Sequence, residues 1–315
     1  MEQKIKLGIS TCLLGHKVRY DGGHKLDRFL VQTLGQFVDF VPVCPEVECG
    51  FPVPREALRL VGTPDAPRLM TQKTMEDVTD RMRNWAGQRL DDLEHNGLCG
   101  YIFKSKSPSS GMERVKVYHE KGFVKKGVGI FARAFMDRFP MMPVEEDGRL
   151  HDIILRENFI VRIFAYSRLR EMVDGYSAGG DLVEFHSRHK LLLMAHNPKI
   201  QREMGSLVAK VKHLPAEELL TEYESLFMTA LKYISTAKKN TNVLHHIVGY
   251  FKKDLTAGEK QELLELIEHY YLSTVPLVAP MTLLKHYIRK YNKEYLKDQY
   301  YLDPHPLELK LRNHA

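Results

Sequence analysis

The chain has 315 residues, of which 43% are hydrophobic and 27% are charged. At about 100–200 residues per domain, this length predicts two domains, and the composition excludes a collagen-like, coiled-coil or disordered chain. The net charge of +6 is evenly divided, because residues 1–150 and 151–315 each contain 23 basic and 20 acidic residues. This weak excess permits nucleic-acid binding but does not indicate it.

The chain carries no signal for a membrane or for secretion. No apolar run approaches the roughly 18 residues that cross a bilayer, and the first residues lack the apolar core of a signal peptide. We therefore expect a soluble, cytoplasmic protein with no membrane partner. Four cysteines in 315 residues are too few for a disulfide scaffold.

The first half alternates short apolar runs with amphipathic segments. These patterns predict four strands, at 6–9, 37–43, 100–103 and 115–118, and two helices, at 27–33 and 75–93. Strands that alternate with helices indicate a mostly parallel, Rossmann-like α/β sheet.

Residues 143–152 are acidic, rich in turn-forming residues and without periodicity. We place the domain boundary in this segment, which predicts an α/β domain at 1–147 and an all-α domain at 148–315. The second half has helical spacing almost throughout. The predicted helices cover 153–173, 181–195, 197–212, 216–237, 240–254, 256–271 and 280–298.

Three loops rich in glycine, hydroxyl and thiol side chains follow the first three strands: residues 10–23, 44–50 and 104–111. Ligands of open parallel sheets bind beyond the carboxyl ends of the strands, so these loops should meet. Cys12, Cys44 and Cys49 lie in them, whereas Cys99 precedes the third strand and is expected at its far end. Three thiolates at one edge suit a soft metal or an iron–sulfur cluster with one open iron. A zinc site, a single catalytic thiolate and buried structural thiols are the alternatives.

The motifs of these loops resemble the thiouracil desulfurase (DUF523-type) domain. The matching stretches are 10–15 (STCLLG), 18–22 (VRYDG), 42–46 (PVCPE) and 104–111 (KSKSPSSG). The second half resembles the DUF1722-type helical domain, at 185–190, 194–196 and 249–252. Together they resemble bacterial tRNA 4-thiouridine desulfidases over nearly the whole chain. The resemblance implies a [4Fe-4S] cluster held by three cysteines, and tRNA as the partner.

The resemblance also implies roles for residues in the loops. Glu46 is the implied acid/base residue, and Ser107 is implied to position water or relay a proton. The candidate substrate-binding residues are Arg19, Asp21, Lys104 and Ser110. For the charged members of this set, local pairing within the loops is the alternative.

One position departs from the family's pattern. The third loop of the family usually reads Ser-Pro-Ser-Cys-Gly, whereas residues 107–111 read SPSSG. Ser110 therefore stands where the resemblance implies a cluster ligand. We predict that Cys49 replaces this ligand, which makes Cys12, Cys44 and Cys49 the metal ligands. Cys99 is the other possible substitute.

The implied reaction is a desulfuration without redox change. The soft sulfur of 4-thiouridine would bind the open iron, water would attack the carbon, and sulfur would leave as hydrosulfide. Two alternatives are the desulfuration of free thiouracil-type bases and a non-catalytic RNA-binding protein with a structural metal. We infer no obligate protein partner.

The helical half supplies candidate contacts to RNA phosphates. Basic residues recur every four positions on the helix predicted at 280–298, beside a stripe of tyrosines, a combination that suits a nucleic-acid surface. A tyrosine core face beside a solvated lysine face is the alternative. The predicted RNA-binding residues are Arg188, Lys190, Lys252, Lys285, Arg289 and Lys293.

Overall fold

The computed structural model describes residues 4–313. It divides the chain into two compact units, one ending at Asp152 and the other beginning at Ile153. The first unit contains β-sheets and helices and the second is helical, as the sequence predicts. Within the described part of the chain, no helix is both long and apolar enough to cross a membrane.

The strands and helices of the first unit follow in chain order. The strands are β1 (Ile5–Ser10), β2 (Val38–Val43), β3 (Leu58–Gly62), β4 (Pro67–Thr71), β5 (Leu98–Phe103), β6 (Val115–His119), β7 (Gly122–Gly127) and β8 (Val144–Glu146). The helices are α1 (Pro45–Glu48), α2 (Thr79–His95) and α3 (Ile130–Arg138).

The first sheet is parallel and has the strand order β2-β1-β5-β8. Every residue of β5 is buried, as expected for a strand covered on both faces of a parallel sheet. At Gly8 in β1, an added Cβ would overlap the ring of Tyr101, so this close approach requires glycine. Because the strands are parallel, the loops that follow them all emerge at one edge.

The second sheet is mixed, with the order β4-β3-β6-β7. Strand β6 was predicted in the main sheet, and this is wrong: it pairs in parallel with β3 and antiparallel with β7. The alternation of Val115 and Val117 with polar residues predicts a strand, but it carries no information about the partner. The first sheet instead gains β8, which pairs with β5.

Two predicted features of the first unit differ in the structure. The helix predicted at 27–33 is one short wide turn, Phe29–Thr33, followed by a tighter turn, Leu34–Gln36. The segment 143–152, in which we placed the domain boundary, forms β8 and the turn Arg149–His151. Its acidic residues bond inside the first unit, which ends at Asp152.

The helices of the second unit are α4 (Ile153–Asp174), α5 (Gly179–His196), α6 (Pro198–Val208), α7 (Ala216–Lys232), α8 (Ala237–Val248), α9 (Ala257–Tyr271), α10 (Val278–Lys290) and α11 (Glu294–Lys297). The single helix predicted at 280–298 is wrong, because α10 ends at Lys290. Asn292 has a φ of 49°, a left-handed conformation that ends helices. The other predicted helices are confirmed, with ends shifted by a few residues.

Candidate active site

The loops that follow β1, β2 and β5 line one cavity of about 570 Å³ at the carboxyl edge of the first sheet. Cys12, Cys44, Glu46, Ser107 and Ser110 all line it. The predicted meeting of the three loops is therefore found, and the cavity is the candidate active site.

Glycines fix the third loop in place. An added Cβ on Gly129 would lie 2.5 Å from Ser109 O, and one on Gly111 would lie 2.7 Å from Ser107 O. The Gly129 N–H donates to Gly111 O at 2.8 Å. The close packing of the loop against the start of α3 therefore requires glycine at both positions.

Two cysteines face the cavity from adjacent strands. Cys12 is the second residue of a tight turn after β1, Thr11–Leu14, and Cys44 precedes α1, whose first residue is Pro45. Burial raises the pKa of Cys12 to about 11 and that of Cys44 to about 12. Both are therefore neutral thiols near pH 7, which disfavours the alternative of a lone catalytic thiolate. Binding of a metal would deprotonate them.

Cys49, the predicted third ligand, does not line the cavity. It packs with Leu60 and Val117 in the core beside the second sheet, and its carbonyl accepts a hydrogen bond from Arg81 Nε at 2.9 Å. Five residues after Cys44 is about 140° around a helix of 3.6 residues per turn, so its side chain points elsewhere. The placement on which this prediction depended is wrong.

Ser110, where the resemblance implies the third ligand, lines the cavity together with Cys12 and Cys44. Its side chain is only 3% exposed, and its backbone N–H donates to Ser107 Oγ at 3.1 Å. None of the described residues forms a hydrogen bond with Ser110 Oγ. Cys99 is the second residue of β5, at the opposite end of the strand from the cavity, as predicted. Neither Cys49 nor Cys99 lines the cavity beside Ser110.

The donors around the cavity are thus two thiols and one hydroxyl. In residues 4–313, no group of three His, Cys, Asp or Glu side chains is gathered for a metal ion. The set fits a thiolate-held cluster at Cys12 and Cys44, and offers an oxygen at Ser110 as the third donor.

Glu46 lies at the centre of a hydrogen-bonded network. It accepts hydrogen bonds from Ser109 Oγ and from Cys44 Sγ, the latter at 3.6 Å. Arg55 forms an ion pair with it at 3.7 Å, with both side chains largely buried. Ser107 Oγ lies 2.9 Å from Ser109 Oγ, so hydroxyl groups connect Ser107 to the Glu46 carboxylate.

Sequence reasoning missed Ser109 and Arg55 as parts of this network. Ser109 lies in a motif already singled out, but alternate loop serines are indistinguishable before the loop is folded. Arg55 follows α1 in an irregular segment, where nothing in the sequence indicates its partner.

Lys104 is held at the cavity by an acidic residue, Asp147, that directly follows β8. Its ammonium lies 2.8 Å from Asp147 Oδ2, and Asp147 Oδ1 accepts from the Ser105 N–H at 2.7 Å. Although burial opposes it, these bonds lower the pKa of Asp147. Asp147 directly follows β8, a strand in the segment where only a domain boundary was predicted, which is why it was missed.

Of the predicted substrate-binding residues Arg19 and Asp21, only Arg19 lines the cavity. Arg19 lines the cavity, and its Nε lies 3.4 Å from Asp21 Oδ1. Asp21 is exposed, lies outside the cavity lining and accepts the Gly23 N–H at 3.0 Å. For Asp21 the structure thus shows local pairing in its loop.

The basic stripe predicted on one helix is broken in the second unit. Lys285 lies on α10 and pairs with Asp303, whereas Lys293 lies beyond the helix and pairs with Asp254 at 2.7 Å. Arg289 remains exposed on α10. The residues at spacing four therefore do not form one free cationic surface.

The other predicted RNA contacts of this unit have different surroundings. The Arg188 guanidinium packs over the Tyr300 ring at 4.7 Å. Lys190 lines a surface depression together with Tyr250 and Tyr295, whose rings stack at 5.4 Å. Lys252 is exposed after α8.

The fold and the cavity define a class: an α/β domain with a thiol-lined cavity at the strand ends, joined to a helical domain. Residues 7–147 match the family described as 2-thiouracil desulfurase. Residues 190–306 match DUF1722, described as a protein of unknown function. The chain belongs to the 2-thiouracil desulfurase family through its first domain and carries a DUF1722 domain as its second.

Two curated relatives and one solved structure each match part of the chain. YbgA of Escherichia coli (strain K12), described as uncharacterized, is 30% identical over 158 residues, which cover 50% of this chain and 94% of YbgA. YbbK of Bacillus subtilis (strain 168), also uncharacterized, is 30% identical over 108 residues, 33% of this chain and 71% of YbbK. A solved structure, the [4Fe-4S]-dependent thiouracil desulfidase TudS, is 28% identical and matches 50% of this chain and 100% of its own, with a TM-score of 0.40.

Proposed function

We propose that the chain is a desulfidase that replaces the sulfur of a thiolated uracil base by oxygen. One observation carries the proposal: Cys12, Cys44 and Glu46 line a single cavity in the domain that matches the 2-thiouracil desulfurase family. The thiols are soft donors, and the carboxylate can move a proton. These are the two capacities that hydrolysis of a C=S bond requires.

The proposal includes a [4Fe-4S] cluster as the cofactor. Cys12 and Cys44 would hold it, because they are the thiols at the cavity wall. Ser110 would be the third donor, because it lines the same cavity at the position where the resemblance implies a ligand. When bound, the cluster would supply a Lewis-acidic iron with an open position for a soft sulfur ligand.

The residues of the chain would direct the attacking water. Glu46 would take one proton from water, whose oxygen forms the new bond to the ring carbon. The carbon–sulfur bond then breaks, and sulfur leaves as hydrosulfide with the electron pair of that bond. Water and the thiocarbonyl together give the carbonyl, hydrosulfide and one proton, so no oxidant or reductant is consumed.

The network around Glu46 suits this role. Arg55 orients the carboxylate from one side, and the hydroxyls of Ser109 and Ser107 offer a route by which the proton leaves. Lys104, fixed by Asp147, places a positive charge at the rim where a base carbonyl or a phosphate would lie.

We further propose 4-thiouridine in tRNA as the substrate. Five basic side chains and one carboxylate line the cavity. Three of the five cations are paired, with Asp21, Glu46 and Asp147, and no described carboxylate forms an ion pair with Lys25 or Lys106. This remaining positive charge favours a polyanion over a neutral base. The basic residues are Arg19, Lys25, Arg55, Lys104 and Lys106. A tRNA substrate would also explain why the chain has a helical second unit, which a free base does not need. The target base in tRNA would have to leave its stack to reach the cavity.

The test is desulfuration by protein reconstituted with iron and sulfide under anaerobic conditions. Iron and acid-labile sulfide are measured on the same sample that is incubated with 4-thiouridine tRNA and, separately, with 2-thiouracil. We expect loss of the thiouridine absorbance of tRNA and release of sulfide. Activity on 2-thiouracil alone would restrict the substrate to free bases. If cluster-loaded protein changes neither substrate, the proposed function is wrong.

A further inference from the structure

A second depression of the first unit adjoins the candidate active site. It has a volume of about 940 Å³ and shares Leu58, Ser105, Lys106 and Pro108 with the lining of the active-site cavity. We call this depression the basic groove. A ligand that enters the active site can therefore extend into the basic groove without leaving the protein surface.

The basic groove carries uncompensated positive charge. Six basic and two acidic side chains line it. Both acids are engaged: Glu113 pairs with Arg149 at 3.1 Å, and Glu146 accepts the Met112 N–H at 2.7 Å. Across residues 4–313, no carboxylate forms an ion pair with the remaining cations, which are Arg59, Lys106, Arg114, Lys116 and Lys125.

Two of these cations belong to residues with an unusual backbone conformation. Lys106 has a φ of 62° and Arg114 a φ of 54°, in the left-handed region that non-glycine residues rarely adopt. Both are exposed, so no burial of their side chains accounts for the conformation. Such strain tends to be retained at functional sites.

The basic groove also contains an aromatic surface. Tyr118 lines it half-buried, and the Arg59 guanidinium lies 5.5 Å from the centre of its ring. Aromatic rings beside a cationic track are the usual contacts of single-stranded nucleic acids, because bases stack on the ring while the cations follow the phosphates.

We infer that the basic groove binds the sugar–phosphate backbone of the RNA strand adjoining the thiolated nucleotide. This inference rests on the proposed function of the adjacent cavity. It assigns the main phosphate contacts to the desulfurase domain, whereas the sequence alone placed them in the helical domain. There, Lys285 and Lys293 are already paired with Asp303 and Asp254.

The test measures binding of tRNA that lacks thiolated bases, so that no chemistry is involved. In the full chain, Arg114, Lys116 and Lys125 are replaced together by Gln, and affinity is measured by fluorescence anisotropy at several salt concentrations. We expect about tenfold weaker binding and a salt slope reduced by about 2, at roughly 0.7 per lost phosphate contact. The matched control replaces Lys285 and Lys293 by Gln, and we expect binding like that of the unaltered protein.

A charge-preserving variant guards against misfolding. Arg114→Lys with Lys116→Arg and Lys125→Arg should keep the affinity and the salt slope. If the Gln variant binds tRNA with unchanged affinity and slope, or if the control variant loses as much, the inference is overturned. These outcomes are separable from the proposed function. If the chain binds tRNA through the basic groove but desulfurates neither substrate, the inference about the groove holds and the proposed function is wrong.

Discussion

Residues 1–150 and 151–315 each contain 23 basic and 20 acidic residues, yet the two units use their charged groups differently. In the first, five cations of the basic groove lack carboxylate partners within the described chain, and a half-buried carboxylate, Glu46, lines the active-site cavity. In the second, Lys285 and Lys293, two of the three cations predicted to contact RNA on and after α10, form ion pairs with Asp303 and Asp254. Equal composition thus says nothing about which surface is free to bind.

Titratable groups show the same contrast. The thiols of Cys12 and Cys44 lie at a cavity wall, where a ligand can reach them. In the second unit, four histidines are buried inside the helical packing: His186, His189, His196 and His305. The predictions below test this division between groups that face a site and groups that fill a core.

The largest effect should come from the cysteines. Cys12→Ser or Cys44→Ser should abolish iron retention and desulfuration, because each removes a thiolate at the cavity. Cys49→Ser should keep both, and should instead lower the free energy of unfolding by about 1–3 kcal/mol, because a hydroxyl is left in an apolar core. Iron content and denaturant unfolding check this. If Cys49→Ser lost its iron while Cys12→Ser retained it, Cys49 and not Cys12 would be the cluster ligand.

Glu46→Gln should reduce the rate of desulfuration by about 10²–10⁴-fold, since the amide keeps the shape but takes no proton. Iron content should stay unchanged, which separates proton transfer from cofactor binding. Glu120→Gln, on the exposed turn between β6 and β7, is the matched control and should have no effect. An unchanged rate in Glu46→Gln would remove the acid/base role from this residue.

Ser110→Cys should increase the iron retained after gel filtration several-fold, because it supplies a third thiolate where the structure offers a hydroxyl. The increase should be accompanied by a change in the visible absorbance of the reconstituted protein. Ser206→Cys, on an exposed position of α6, controls for an added thiol. If both variants retain iron equally, Ser110 does not face the cofactor.

The last prediction concerns the pH dependence of stability. Burial lowers the pKa of His186, His196 and His305 from 6.5 to about 4. The unfolded chain therefore binds more protons than the folded one between about pH 6.5 and 4, and stability falls as the pH is lowered through this range. At pH 5 the loss should be about 2 kcal/mol for each imidazole.

Two spectroscopic signals report the unfolding of the two units separately in this experiment. Helical circular dichroism follows mainly the second unit, while Trp85, the single tryptophan, lies on α2 of the first. The midpoint seen by dichroism should fall more steeply with acid than that seen by Trp85 fluorescence. His16→Gln, at an exposed histidine, should leave both unchanged. Equal acid sensitivity of the two signals would contradict the burial argument.

Much of the candidate site could be predicted because it depends on position along a strand. Cys12, Cys44, Glu46, Ser107 and Lys104 follow strands that the apolar pattern identifies, and parallel strands bring their ends together. Cys49 could not be assigned in this way, since a few residues of helix turn a side chain to another face. Asp147 was hidden because a three-residue strand has too short a pattern to recognise.

The sequence by itself determined the two-part architecture, the edge of the sheet where the loops meet and the departure at Ser110, because these follow from local periodicity and from residue identity. Only the tertiary structure decided which thiols face the cavity, which sheet β6 joins and which cations remain free. Those properties depend on side-chain direction and on partners far apart in the chain, as with Lys104 and Asp147, which are 43 residues apart. Pairing between such residues is set by the packing of whole elements, and no local pattern records it.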